Sequence, residues 1–387
     1  MKREGLNMRR RLSRIFLLFL LLLFLLPLCG CATLRGQRRE VEQLRIIQTV
    51  GVDYAPGGVR LTLAAASGPE GEGPGAALSG TGRTISAALE QIRECSVEEE
   101  LFLGHVRGIL VGQEAAEHGL DDLLALICRS AELRLDIPLY IVRGGTAEKL
   151  INGVAGDRQG VTEILEAARL REERQRGERA STADAVKRSL LRSGSALVGA
   201  LAYGDAAEQG GKTAVPAGLA VLQDGALHAW IEPEDALGAE LLCGETGSRE
   251  LSVLDLGGLP VSLEVQRGES AVMPVWNADG SLRGLDLTAT VRAAVLETAA
   301  DSADGLARYD DHLTGQLEAA VSEKLGRVLQ LARQEALDLA GLGRRLELSD
   351  PQHWRAEEQR MGALLPTLEI SIAVRGELTH SFDAKDA

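Results

Sequence analysis

Between residues 306 and 339 the chain places an apolar side chain every few positions: Leu313, Leu317, Val321, Leu325, Val328, Leu331 and Leu337. A spacing of three and four is the period of one helix face. At 1.5 Å per residue such a helix runs about 50 Å. A rod of that length cannot bury its stripe in a small globular core, so it needs a sheet to lie across. Strand patterns flank it. Residues 285–297, LDLTATVRAAVLE, alternate as a long strand, and Pro366 opens another over 367–378, TLEISIAVRGEL. Strand, long helix, strand predicts a compact α+β domain over residues 282–387.

Upstream, strand and helix patterns alternate. Residues 46–53 and 59–66 read as a hairpin around Ala55-Pro56-Gly57-Gly58. Residues 67–80 are rich in Gly and Pro and read as a loop. Helical spacing follows over 84–94, with Thr81 or Thr84 available as a cap. Then come a strand (106–111), a short helix (121–128) with Cys128 expected in the core, a strand (138–142) and a helix (146–151). This predicts a mixed α/β domain over 46–195. Residues 163–192 are dense in both charges and carry only a thin apolar stripe. They read as exposed linking helices, broken near 177–181, with a solvated face. From Ala217 the pattern turns to β, with a hairpin at Asp224-Gly225, predicting a β-rich middle domain over 210–275. The fold class expected is therefore α+β (mixed α/β) and multidomain, as 387 residues allow.

The N-terminus carries Lys2, Arg3, Arg9, Arg10, Arg11 and Arg14 against one acid, Glu4. Residues 15–28 follow without a polar side chain. Those 14 positions fall short of the roughly 20 that a membrane-spanning helix needs. Basic segment, short apolar run and small residues make a secretory signal peptide over residues 1–30. Its end, Leu28-Cys29-Gly30-Cys31, resembles the bacterial lipobox. By that resemblance cleavage falls between Gly30 and Cys31, Cys31 receives a diacylglyceryl group, and Cys29 leaves with the signal. The plainer alternatives are an ordinary signal peptide or an uncleaved anchor. Residues 31–45 are polar and read as a tether. With a net charge of −14, the chain repels nucleic acid and anionic headgroups, so no nucleic-acid partner is expected. Membrane attachment then falls to the lipid. The remaining cysteines, Cys95, Cys128 and Cys243, are odd in number and widely spaced, which makes neither a disulfide framework nor a zinc site.

No catalytic constellation emerges. His105, in L-G-H-V-R, has no second ligand at metal spacing and reads as structural. Glu114 and His118 do not form an H-E-x-x-H motif. Gly80-Thr-Gly82 before a helix hints at phosphate binding, but the third glycine is missing because residue 85 is Ile. G-x-S-x-G and Walker motifs are absent from the sequence. Trp230, Trp276 and Trp354 are the only tryptophans and read as core or interface anchors.

The order of segments resembles the Ger(x)C family, the C subunits of spore germinant receptors, typified by GerAC. REVEQLRIIQTVGVD (39–53) is similar to the family's opening strand, and LFLGHVRGILVG (101–112) to its Gly-His block. AELRLDIPLYIVRG (131–144), GLAVLQDGALHAW (218–230), DPQHW (350–354) and LPTLEISIAV (365–374) follow in the family's order. A departure is DLAGLG (338–343), where the family has an aromatic-containing D-P-x-G-x-G. The resemblance implies a non-enzymatic lipoprotein with three α/β-type domains and no cofactor beyond the covalent lipid on Cys31. It also implies two membrane-spanning partners, an A and a B subunit, at the outer face of the spore's inner (cytoplasmic) membrane. The competing classes are a lipid-anchored solute-binding protein and, behind it, a lipid-anchored hydrolase.

Overall fold

The structure is a computed structural model that describes residues 44–65, 77–96, 99–154, 160–177, 180–205, 212–296, 303–339, 341–357 and 364–380. The signal peptide and most of the tether, with Cys29, Gly30 and Cys31, lie outside the described residues.

Strands β1 (Leu44–Ala55) and β2 (Gly58–Ala65) form the expected hairpin, with Gly57 at φ +82° in the turn. β3 (Leu78–Gly82) adds to β2. Its sequence, LSGTG, has no apolar alternation, so this edge strand read as loop. α1 (Ile85–Cys95) starts at Thr84, whose hydroxyl accepts from Ala87 N. Next come β4 (Glu100–Phe102), β5 (Gly108–Gly112), α2 (Gln113–His118), α3 (Asp121–Arg129), β6 (Leu139–Val142) and α4 (Ala147–Val154). α5 (Val161–Arg176) and α6 (Ala183–Ser193) follow, then β7 (Ser195–Asp205), β8 (Lys212–Gln223) and β9 (Ala226–Ile231).

The first sheet has nine strands, and its continuous path runs β3-β2-β1-β5-β6-β7-β8-β9. The central four strands are parallel, and an antiparallel hairpin pairs with them on each side. β5 and β6 are buried along their whole length, because helices cover both faces. Ile109, Val111, Leu139 and Ile141 point to the side packed by α1, α3 and α6. Leu110, Tyr140 and Val142 point to the side packed by α4 and α5.

The second sheet takes β10 (Glu245–Thr246), β11 (Arg249–Leu254), β12 (Pro260–Trp276), β13 (Leu282–Val295) and β14 (Glu369–His380). α7 (Ala236–Leu242) precedes it. The long stripe becomes α8 (Ala303–Gln334), with Leu313, Leu317, Val321, Leu325 and Val328 buried in the core beneath this sheet. Its 32 residues span about 48 Å, close to the roughly 46 Å of the 14-residue β13. The helix therefore returns the chain to the start of β13, and β14 pairs parallel to it over twelve residues. α7 crosses α8 at Gly238, where a Cβ would come within 2.5 Å of the Lys324 carbonyl.

Residues 210–275, expected as a β-rich domain, divide between the two sheets. β8 pairs with β7 from Ser195–Gln223 to Asp205–Lys212, so that hairpin completes the first sheet, while β10 to β12 belong to the second. Cys128, expected in the core, is exposed. Leu120, Leu123, Leu124 and Ile127 fill the buried stripe of α3, and Cys128 falls at its edge.

One buried cap holds the first sheet to α4. Asp53, 2% exposed, accepts from Ala147 N at 2.7 Å and Glu148 N at 2.9 Å. It supplies an acceptor and a negative charge at the helix N-terminus. Burial raises its carboxyl above the ordinary value, although the two amides pull it down. Between the unfolded and the raised value the native state holds more proton, so this group's stabilisation falls as pH rises through that window. Asp53→Ala is expected to cost about 1–3 kcal/mol in urea unfolding and to remove that slope from the pH profile.

Candidate functional site: the polar junction under helix α5

α5 keeps one helical stripe from end to end, but its chemistry changes halfway. Val161, Thr162 and Leu165 are buried at the start, and Glu172 and Arg176 at the finish. The apolar half lies on the parallel strands. Thr162 Oγ1 is 3.2 Å from Thr49 Oγ1 of β1, and a Cβ on Gly108 of β5 would come within 2.8 Å of Leu165. The charged half lies over β6 and β7. Arg176 Nη1 donates to Glu172 Oε1 at 2.5 Å, and both side chains are over 90% buried. Ser181 donates to the same carboxylate oxygen through its N at 3.0 Å and its Oγ at 2.5 Å. Arg176 Nη2 donates to the Leu197 carbonyl, and Ser181 Oγ accepts from Gly199 N at 2.6 Å. α5 ends at Arg176, beside the expected break near 177–181, with Gly177 at φ +53°; residues 178–179 lie outside the described residues. The solvated face expected for residues 163–192 holds for Glu163, Arg171, Glu173, Arg188 and Arg192, but not for Glu172 and Arg176, which form the most buried ion pair described.

The C-terminal end of α5 reaches the second sheet. Gly247 N donates to the Gln175 carbonyl at 2.7 Å, and Ser248 N to the Arg174 carbonyl at 3.1 Å. These bonds satisfy carbonyls that a helix end leaves open. A Cβ on Gly247 would sit 1.9 Å from the Arg174 oxygen, so only glycine permits the approach. Beside it, Glu240 accepts from Thr246 Oγ1 at 2.6 Å and Arg249 Nη2 at 2.5 Å, and Arg249 Nη2 also donates to Gln175 Oε1 at 3.2 Å.

A cavity of about 90 Å³ opens at this junction, lined by Tyr140, Glu172, Leu201, Leu219 and Arg249 among others. Tyr140 Oη and Arg249 Nε are buried there without a hydrogen-bond partner. The volume suits a few water molecules and is well below the hundreds of Å³ of metabolite clefts. Burial, reinforced by the nearby Glu172 charge, pushes the Tyr140 phenol far above its ordinary value. The arrangement can hold two sheets in register. It presents no nucleophile paired with a base.

The residues singled out from sequence lie elsewhere. His105 stands exposed in a turn, its ring edge-on to Phe102 at 5.5 Å. His118 Nδ1 is 2.8 Å from the Glu114 carbonyl oxygen, and its ring stacks on Tyr54 at 4.0 Å. Gly80-Thr-Gly82 lies within β3 itself, and its glycines serve packing. A Cβ on Gly82 would meet Ala88 N at 2.4 Å, and one on Gly80 would meet Ile92 at 2.5 Å. No group of metal-ligating side chains occurs among the described residues, and none of the described helices is long and apolar enough to cross a membrane. Arg143 lies over Trp230 at 5.1 Å and chelates Glu232. Trp276 Nε1 donates to Asp350 at 3.1 Å, and Trp354 is buried.

DLAGLG keeps a capping role despite its departure. Asp338 accepts from Leu342 N and Gly343 N at the start of α9 (Leu342–Ser349), and Gly341 takes φ +61°. Gly343 lies so close to Trp354 of α10 (Pro351–Glu357) that a Cβ would come within 2.9 Å of the ring.

Two sheets are thus joined at the C-terminal end of α5, which carries the buried Glu172–Arg176 pair. Two family descriptions match in order: the spore germination protein N-terminal domain over residues 37–184, and the spore germination B3/GerAC-like C-terminal domain over residues 217–381. The chain belongs to the GerAC-type spore germination proteins, a family not known for enzymatic activity. The crystal structure of the GerBC protein is similar over 85% of this chain and 96% of its own, with a TM-score of 0.56 and 14% identity. Among curated proteins, none matches the sequence.

Arg176→Met leaves Glu172 buried without its cation and is expected to cost about 3–5 kcal/mol in urea unfolding. Adding Glu172→Leu to that variant should recover much of the loss, because the uncompensated charge is gone. Tyr140→Phe removes a hydroxyl without a partner, so stability at neutral pH should hold or rise. The native phenol stays protonated when the unfolded one ionises, so wild-type stability falls as pH climbs above about 10. Unfolding titrations of the Phe variant should show that fall reduced.

Proposed function

We propose that this protein is the lipid-anchored subunit of a spore nutrient germinant receptor and assembles with membrane-spanning A and B subunits to trigger germination. The observation that carries the reading is the ordered pair of germination-family matches over 37–184 and 217–381. Leu28-Cys29-Gly30-Cys31 after an apolar run supports the anchor. Diacylglyceryl on Cys31 would hold the protein at the outer face of the cytoplasmic membrane, since two acyl chains anchor stably where one does not. The role that fits a junction built for rigidity is assembly or coupling rather than chemistry.

The test is dipicolinate release from spores lacking this gene, across a panel of nutrients, with a Cys31→Ala strain beside the deletion. The expected result is loss of response to one nutrient class, normal release to a non-nutrient trigger, and a Cys31→Ala strain that copies the deletion. A normal response to every nutrient, with no membrane partner copurifying, would overturn the reading.

A further inference from the structure

A basic hollow lies between α6 and α9. It has a volume of about 320 Å³, and five arginines line it: Arg176, Arg188, Arg192, Arg344 and Arg345. Its lining includes no aspartate or glutamate, in a chain whose net charge is −14. Val186, Leu197 and Leu339 give it an apolar floor.

The arginines are not equivalent. Arg176 is committed to Glu172, and Arg345 donates to the carbonyls of Leu242 and Ser270. Three remain on the exposed rim. Arg188 pairs with Asp184 on its own helix, and Arg344 pairs with Glu347 on its own. Exposed pairs of this kind contribute about 0–1 kcal/mol and exchange readily. Arg192 has no carboxylate partner among the described residues. Arg344 stands in the first turn of α9, where the helix dipole adds to its positive field. A neighbouring hollow of about 280 Å³ shares Arg192 and Arg344 with it, and there Asp224, Asp338 and Glu347 offset the positive charge.

We propose that this cleft docks an acidic segment of a partner protein. Its carboxylates pair with Arg188, Arg192 and Arg344, and small apolar side chains between them reach the floor. Charge complementarity selects the occupant. A membrane surface or a nucleic acid meets the repulsion of the whole acidic body. A short peptide feels mainly the local field within a Debye length of about 8 Å. Three rim arginines spread over two helices suit a chain with several carboxylates rather than a single small anion. The inference rests on the cleft's charge and shape and is independent of the receptor reading.

The test uses the full-length protein and a fluorescein-labelled peptide of alternating Glu and Leu, with a twin carrying Gln for Glu. The acidic peptide is expected to bind at least about tenfold tighter than its twin, a difference of about 1.4 kcal/mol. Binding should weaken as salt rises. Arg192→Glu should lower affinity about tenfold with an unchanged melting temperature. Arg344→Glu, on the opposite wall, is a second variant expected to act alike. Equal binding of the two peptides, or indifference to both substitutions, would overturn the proposal. So would recruitment to phosphatidylglycerol vesicles that Arg192→Glu abolishes, which would assign the cleft to lipid, or displacement of the peptide by succinate at equal carboxylate concentration.

Discussion

The Glu172–Arg176 pair sits where α5 leaves one sheet and meets the other, and the architecture depends on that placement. Desolvating two charges offsets most of their mutual attraction, so the pair adds little net stability by itself. What it fixes is position. Glu172 can be buried only if Arg176 and Ser181 both reach it. Ser181 in turn holds Gly199 of β7, and Arg176 holds the Leu197 carbonyl. A shift of α5 by one residue would strand a carboxylate in the core, a state costing several kcal/mol.

From that fixed point the helix end is presented to the second sheet. The Arg174 and Gln175 carbonyls accept from Ser248 and Gly247. One apolar cluster then runs without interruption from Leu219 and Val221 of β8 through α7 and α8 to β12 and β13. Two sheets sharing a core and a helix cap are suited to act as one body. The same fixed point also places α6, which follows Ser181 directly, so that its arginines face those of α9.

Much of the fold is legible in the sequence. The long helix, both hairpin turns and the strands β1, β5 and β6 follow from spacing and from Gly57 and the Asp224-Gly225 pair, whereas β7 and the parallel pairing do not. β3 was missed because LSGTG offers no alternation, and its pairing with β2 is backbone-driven. α5 was misread because apolar content stood in for burial. The stripe Val161, Leu165, Glu172, Arg176 keeps a helical period throughout. A Glu and an Arg four apart on that stripe was the available signal, but the same spacing occurs in exposed pairs such as Glu323–Arg327.

The sequence by itself determined where most elements lie, to within a few residues, because that depends on residues two to four positions apart. It set a helix long enough to lie across a sheet between two strands, while the parallel pairing of β14 with β13 is a tertiary outcome. Only the tertiary structure decided which sheet β8 and β9 would join, that Asp53 would cap a helix 94 residues away, and that Arg176 would lie inside. Each of those turns on desolvation, and whether a charge is desolvated depends on distant segments packing over it.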